Sequence, residues 1–600
     1  MSCKTRALRL LPLLLCLLLL LSACAPTAAS APFPILVCIE DCEGVTVLDN
    51  GQRVAPGSEV HFTLETAPDR IVEGVLGAGD DYVLRHSGTT WQLTLPCVRY
   101  PTSITLLCAS YDIHARSTRT IFYDANLPGQ GEDLSYSETM SIQEHPRPNT
   151  SRGEALFRDG FTLVSWNTAP DGSGLRVGLG SRVTVPLSGL TLYAQYLPWT
   201  AEDSFSFEEA SDGIHITGCH AADDPLVIPS RIRGLPVVSL ESGAFQGVVA
   251  DTVVLPPTLR EAEPGAFQDC MLSTLVLFDS IESIPDAAFQ GCQNLCTLRI
   301  NAMEDPYGFS FRRESLFADK IDLLITRSGL RKLVFYGGCN VWYNLIGEEA
   351  VHRFGDSFEV VNLGLNGTVN AYVQMEILRH FLDPGDVFFH APEISSTQQL
   401  LLNLQMYDGD DMLWSGLEYN YDLFSLVDLR KVPGALDSLC HYLSQKEPGG
   451  SYLDVYRDSS GVAYMDATGS IPFLRTKRRG ELTDSVRLSP GLLEEGLHEL
   501  NDMYENLSSS GVTVYVSSAC IDLPAVPQEE QGNVALMDSL LRAALEDGPA
   551  RMISSLSDYL YVPDQFYDTH YHLLTQFAYE NTEKWLSDLE EQLQQDALIR

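Results

Sequence analysis

A 22-residue repeat constrains the middle of this chain more than any other feature. Gly243-Ala244-Phe245-Gln246, Gly265-Ala266-Phe267-Gln268 and Ala287-Ala288-Phe289-Gln290 recur at that interval. Leu240, Ala262 and Ile284 each stand five residues before the phenylalanine. Leu255 and Leu277 follow the first two phenylalanines by ten residues, and Ile300 follows the third by eleven. One such copy has too few apolar side chains to close a core alone. Successive copies must therefore stack and share one. The array is expected over 205–302, short enough to need its neighbours as caps. Its exposed face could carry a ligand, or the array could act as a spacer.

The pattern resembles the leucine-rich repeats of bacterial surface antigens, which implies a short solenoid. The N-terminus fits that setting. Lys4, Arg6 and Arg9 precede a leucine-dominated run, Leu10 to Leu21, which ends in Leu21-Ser22-Ala23-Cys24. The apolar run is short for a membrane span and reads as a secretory signal. The block resembles the bacterial lipobox. That resemblance implies cleavage before Cys24, a diacylglycerol on its thiol, and an extracellular face held to the cell membrane by acyl chains. Residues 1–23 are then the signal and 24–34, rich in small residues and proline, the tether.

With 600 residues, several domains are expected. The formal charge of −41 repels phosphate backbones, so nucleic acid is not an expected partner. Eleven cysteines remain after Cys3, Cys16 and Cys24 are set aside, and an odd number implies at least one unpaired thiol. Cys38 with Cys42, and Cys97 with Cys108, could pair or stay as buried thiols. No histidine stands at zinc-ligand spacing beside them, and no metal or cofactor is implied.

Two all-β modules are expected before the solenoid. Over 35–118, Val60, Phe62 and Leu64 alternate, as do Trp91, Leu93 and Leu95, and Ile104 with Leu106. Turns at Asp49-Asn50-Gly51 and Pro56-Gly57 separate these runs, giving a β-sandwich-like module. Over 119–198, the strand Ile121-Phe122-Tyr123, the turn Trp166-Asn167-Thr168-Ala169-Pro170-Asp171-Gly172-Ser173-Gly174 and the strand Thr191-Leu192-Tyr193-Ala194-Gln195 resemble an internalin-type B-repeat. That resemblance implies a spacer or adhesive role. Trp166 and Tyr193 are the expected core.

Over 306–600 the texture becomes α/β. Apolar strands are expected at Lys332–Tyr336, Phe358–Leu363, Asp386–His390 and Val512–Val516. Helices are expected over 369–382 and from Ser489-Pro490 to Gly511. Alternating strands and helices predict a parallel sheet with both faces covered. Ligands of such sheets bind beyond the carboxyl ends of the strands, where Cys339 and Gly364 fall. Near the end, Phe566-Tyr567-Asp568-Thr569-His570-Tyr571-His572-Leu573 offers an Asp that could orient an imidazole as general base.

Gly337-Gly338-Cys339-Asn340, Asn362-Leu363-Gly364-Leu365 and the terminal Asp568/His572 segment together resemble the SGNH/GDSL hydrolase superfamily, in particular its bacterial cell-surface branch. The resemblance implies an ester hydrolase or acyl transferase. It assigns Cys339 as nucleophile, Gly364 as backbone oxyanion donor, and Asp568 and His572 as the orienting acid and the base. The chain departs from the family in three ways. Cysteine replaces serine at 339, the block-three asparagine is not evident near Asp386–Glu393, and Asp568 precedes His572 by four residues rather than three. A thiolate beside His572 would attack to give a thioester. Cys339 could equally be a buried small hydrophobe, and the chain a surface adhesin that only binds a glycan or host ligand. His570 is expected in solvent, and Lys477-Arg478-Arg479 in a loop.

Overall fold

The computed structural model describes residues 35–599 apart from several stretches, the longer being 77–81, 111–117, 128–134, 142–149, 151–157, 304–315, 366–369, 396–410 and 446–464. The signal, the tether and Cys24 lie outside the described residues. The chain divides into two compact units, residues 1–111 and 112–600.

The first unit is a sandwich of two four-stranded sheets. One sheet runs in the order Gln52–Val54, Ile35–Ile39, Thr102–Ser110, Arg70–Leu76, and the other in the order Val45–Val47, Ser58–Thr66, Thr90–Val98, Val83–Ser87. Alternation sets the core, because successive side chains leave a strand on opposite faces. Val60, Phe62, Leu64, Trp91, Leu93, Leu95, Ile104 and Leu106 are all buried in one cluster.

The second unit begins with a five-stranded sheet in the order Tyr136–Ser141, Thr118–Asp124, Leu190–Pro198, Phe161–Asn167, Arg176–Val177. Trp166 is fully buried and packs on Tyr123, with ring centroids 5.0 Å apart. Tyr193, expected in this core, is only half-buried. Its strand neighbours Leu192 and Ala194 point inward in its place.

The solenoid follows. Leu226–Val227, Thr252–Val254, Thr274–Phe278 and Thr297–Asn301 form one parallel sheet. Phe245, Phe267 and Phe289 stack inside the turns, with centroids 4.7 and 4.9 Å apart. Val227, Val254 and Val276, from successive turns, are buried against Val164, Leu197 and Trp199 of the preceding module. That part of the sheet face is therefore covered by the chain itself. The later flank is joined as well. The Asp286 carboxylate accepts from the amides of Gly434 and Leu436 (3.0 Å for the latter), and Leu429 N donates to Cys296 O at 2.8 Å. The solenoid is thus gripped by its neighbours on both sides.

The C-terminal part is doubly wound. Strands β1 (Lys332–Gly337), β2 (Glu359–Asn362), β3 (Val387–Ala391), β4 (Thr513–Val516) and β5 (Arg551–Met552) form a parallel sheet in the order β2-β1-β3-β4-β5. Chain order reverses between β1 and β3, which makes their carboxyl ends the crevice of the sheet. Helices α1 (Leu316–Thr326), α2 (Cys339–Asn344), α3 (Gly347–Phe354), α4 (Ala371–Leu378), α5 (Ala435–Ser444), α6 (Pro490–Ser509), α7 (Val534–Leu545) and α8 (Thr575–Gln595) accompany it. The period-2 alternation divides the strands between two cores. Leu333, Phe335, Val387 and Phe389 pack with Trp585 and Leu589 of α8. Val334, Tyr336 and Phe388 pack with Met503 and Tyr504 of α6. Burial on both faces explains why the central strands β1 and β3 read as nearly unbroken apolar runs.

Candidate functional site

The crevice is built where β1 and β3 end. Gly338 leaves β1, and α2 begins at Cys339. Two residues past β3 stands Glu393, 2% exposed. Its Oε1 accepts from Asn340 N at 2.9 Å and lies 3.7 Å from Cys339 Sγ. A Cβ at position 338 would overlap this carboxylate, so the approach requires glycine there. Cys339 itself is half-buried between the cluster of Ile394, Leu493, Leu497 and Tyr571 and that of Trp342 and Tyr343.

The terminal loop docks on α2. Asn344, at the end of that helix, donates through Nδ2 to Tyr571 O and accepts at Oδ1 from Leu573 N, both at 2.8 Å. These two bonds bracket His572. Its Nδ1 lies 2.7 Å from Asp568 Oδ1, so the four-residue gap forms the pair. The imidazole stacks flat on the Tyr343 ring, with centroids 3.6 Å apart and planes 3° off parallel. Tyr343 and Cys339 are four residues apart on α2, hence on one face and about 6 Å apart along the axis. Arg475, fully buried, ties the two elements by donating to Leu573 O at 2.9 Å and Tyr343 O at 2.5 Å. Burial holds its pKa down to about 10.

The loop after β2 reaches the same helix. A Cβ on Gly364 would overlap the Trp342 backbone. The Gly364 amide, expected to face an oxyanion, donates to Asn362 Oδ1 at 2.8 Å. Asn362 Nδ2 in turn donates to Val341 O at 3.1 Å and Ser470 Oγ at 2.9 Å. Beneath the loop lies Lys320 of α1, fully buried, whose ammonium donates to the carbonyls of Asn362 (3.2 Å), Gly469 (2.9 Å) and Gly364. Burial pushes its pKa well below the usual lysine value, with Asp466 acting in the opposite direction.

His570 is not in solvent as expected. Its side chain is 16% exposed, and Nδ1 lies 2.8 Å from Asp522 Oδ2. Burial raises the pKa of Asp522. Lys477-Arg478-Arg479 lies outside the helices and strands, and Arg478 bonds Pro563 O and Asp564. Glu393, Lys320, Asn344, Arg475 and Asp522 all went unnoticed in the sequence, because each finds its partners 40 or more residues away. Among the described residues, no group of three His, Cys, Asp or Glu side chains could hold a metal ion, and no helix is long and apolar enough to cross a membrane.

Comparison with known proteins decides the solenoid. Residues 228–337 match the BspA type leucine rich repeat region, in six copies. The solenoid is a BspA type leucine-rich repeat. Its strands end at Asn301, so the matched stretch runs on through α1 to β1. Among solved structures, the crystal structure of the T. pallidum leucine rich repeat protein aligns at 21% identity and a TM-score of 0.12, over 17% of this chain and 70% of that one. No curated protein matches the chain.

Proposed function

We propose that this chain is a lipid-tethered protein of the bacterial cell surface whose C-terminal domain transfers or hydrolyses acyl groups through Cys339. The SGNH/GDSL likeness of the sequence points the same way, as does the β2-β1-β3-β4-β5 order of the sheet. One observation carries the reading: the loop bearing the Asp568–His572 pair is pinned to the helix that begins at Cys339. The pinning brings the base and its orienting carboxylate to the helix that carries the proposed nucleophile, from two distant parts of the sequence.

In this reading Cys339 Sγ attacks an acyl carbonyl, and His572 takes the thiol proton. As the thioester forms, the C–O bond breaks and His572 returns that proton to the leaving alcohol. Water, or a second hydroxyl, then attacks the thioester. His572 takes its proton and delivers it to the sulfur as the C–S bond breaks. Asp568 keeps Nδ1 protonated so that Nε2 can serve as base. Envelope or host glycans are the esters and acceptors proposed for an extracellular enzyme of this kind. Along the chain the two β modules and the solenoid stand between the tether and this domain, the second module as a B-repeat-like spacer.

A second reading is a ligand-binding surface protein without turnover. Two observations favour it: the Gly364 amide is engaged by Asn362, and a carboxylate stands beside the thiol where an oxyanion would need donors. The test is incubation of the full-length detergent-solubilised protein with p-nitrophenyl acetate and with iodoacetamide, followed by peptide mass mapping. Acyl transfer predicts p-nitrophenol release and modification at Cys339. Absence of both supports the binding reading. Labelled palmitate incorporated by the wild type and lost in Cys24→Ser tests the tether.

A further inference from the structure

A cavity opens beside Glu393, between the ends of β1 and β3 and helix α6. We propose that it receives the acyl chain carried by Cys339, that it selects short, uncharged chains, and that Gly496 sets its depth. This rests on the acyl-transfer reading above.

The first argument is adjacency. Glu393 is a shared wall: its carboxylate lies 3.7 Å from Cys339 Sγ, and its side chain also lines the cavity. Leu493 and Leu497 line the cavity and belong to the apolar cluster on which Cys339 packs. A chain bonded to the sulfur therefore has an apolar space to enter within one side chain's width.

The second argument is chemistry. Leu493, Leu497 and Leu500 give the cavity an apolar wall along α6. The polar groups of the opposite wall are bonded within the protein: Tyr336 OH donates to Ala371 O at 3.3 Å, and His390 Nδ1 bonds Tyr504 OH at 2.7 Å. His390 is fully buried and neutral at physiological pH. Such walls suit methylene groups. The Glu393 carboxylate at the junction repels a chain that ends in a carboxylate.

The third argument is size. The enclosed part of the cavity measures only about 20 Å³, the room of about one water molecule, and the rest of its space is open mouth, so it admits only a small end group. Gly496 sits in the middle of α6, where glycine destabilises a helix relative to alanine. It follows Leu493 by three residues and precedes Leu500 by four, which places it on the face that lines the cavity. Any side chain at 496 is added at the wall. The bare position keeps this wall from closing the small enclosed space, so a chain longer than a few carbons must extend into the open mouth.

The experiment uses the full-length protein with p-nitrophenyl acetate, butyrate, octanoate and hemisuccinate, reading the acyl mass on the Cys339 peptide and the rate of p-nitrophenol release. Wild type is expected to take acetyl and butyryl and to react at least about tenfold more slowly with octanoate and hemisuccinate, which corresponds to 1.4 kcal/mol or more. Gly496→Leu should keep acetate and lose butyrate by a similar factor, whereas Leu497→Ala should gain octanoate. Gly496→Ala, which improves helix propensity and adds only a methyl, should repeat the first shift in smaller measure. If wild type acylates Cys339 but these variants leave the chain-length profile unchanged, or move all esters alike, the pocket assignment is wrong. If no ester acylates Cys339 in the wild type, the acyl-transfer reading fails first and the pocket with it.

Discussion

Glu393 holds one carboxylate oxygen between the Cys339 thiol and the Asn340 amide, 3.7 Å from the sulfur and 2.9 Å from the nitrogen. A negative charge so placed opposes a negative sulfur. At that separation the repulsion reaches about 4 kcal/mol for the effective dielectric of a protein surface. Glu393→Gln keeps an oxygen for Asn340 and removes the charge. Alkylation of Cys339 by iodoacetamide at pH 7 should then accelerate by about tenfold or more. An unchanged rate would show that the carboxylate does not govern the thiol.

His390 couples stability to pH. Burial lowers its pKa to about 3, against about 6.5 in an unfolded chain. Between those values the unfolded state binds a proton that the folded state does not. This group's contribution to stability is therefore intact above pH 6.5 and falls as pH drops toward 3, by about 1.4 kcal/mol per unit. Urea unfolding at pH 8, 6 and 4 should show the loss. His390→Phe, compared with wild type at each pH, should flatten it.

The phenylalanine ladder carries the solenoid. Phe267 is fully buried and stacks on both Phe245 and Phe289. Phe267→Ala opens a cavity between two turns and should cost about 3–5 kcal/mol. Chemical denaturation of the full chain, followed by amide exchange across 240–300, should place the loss in the repeats.

Asp286 caps a helix from outside its own domain. Its carboxylate accepts from Gly434 and Leu436 at the start of α5. Asp286→Ala should cost about 1 kcal/mol, as the loss of an N-cap does, and should speed amide exchange in both 284–296 and 429–440. Faster exchange on one side alone would contradict a shared interface.

Much of this fold is written in local pattern. The solenoid shows because its core positions recur every 22 residues, and the structure uses the same phenylalanines as its ladder. The strands of the parallel sheet show because both faces are buried, which makes Leu333 to Tyr336 and Val387 to Phe389 continuous apolar runs. What stayed hidden depends on partners far along the chain. Glu393 meets Cys339 across 54 residues, and Asp522 meets His570 across 48. No periodicity marks such pairs. The grip of 421–440 on its neighbours is equally silent, since its polar contacts (Asp422 to Arg176 of the second β module, Gly434 to Asp286 of the solenoid) are single residues far apart in the chain. In the second β module the wrong tyrosine was expected in the core. One residue's slip on a strand exchanges inside for outside, and Tyr123 fills the place expected of Tyr193.

The most direct test of the central claim is acylation of Cys339 by p-nitrophenyl acetate, followed by mass mapping in wild type and His572→Gln. The account predicts an acetyl group on Cys339 in the wild type, formed at least about a hundredfold more slowly in the variant, as expected when a general base is removed. Acetylation at the same rate in both proteins, or at other nucleophiles with Cys339 untouched, would contradict it.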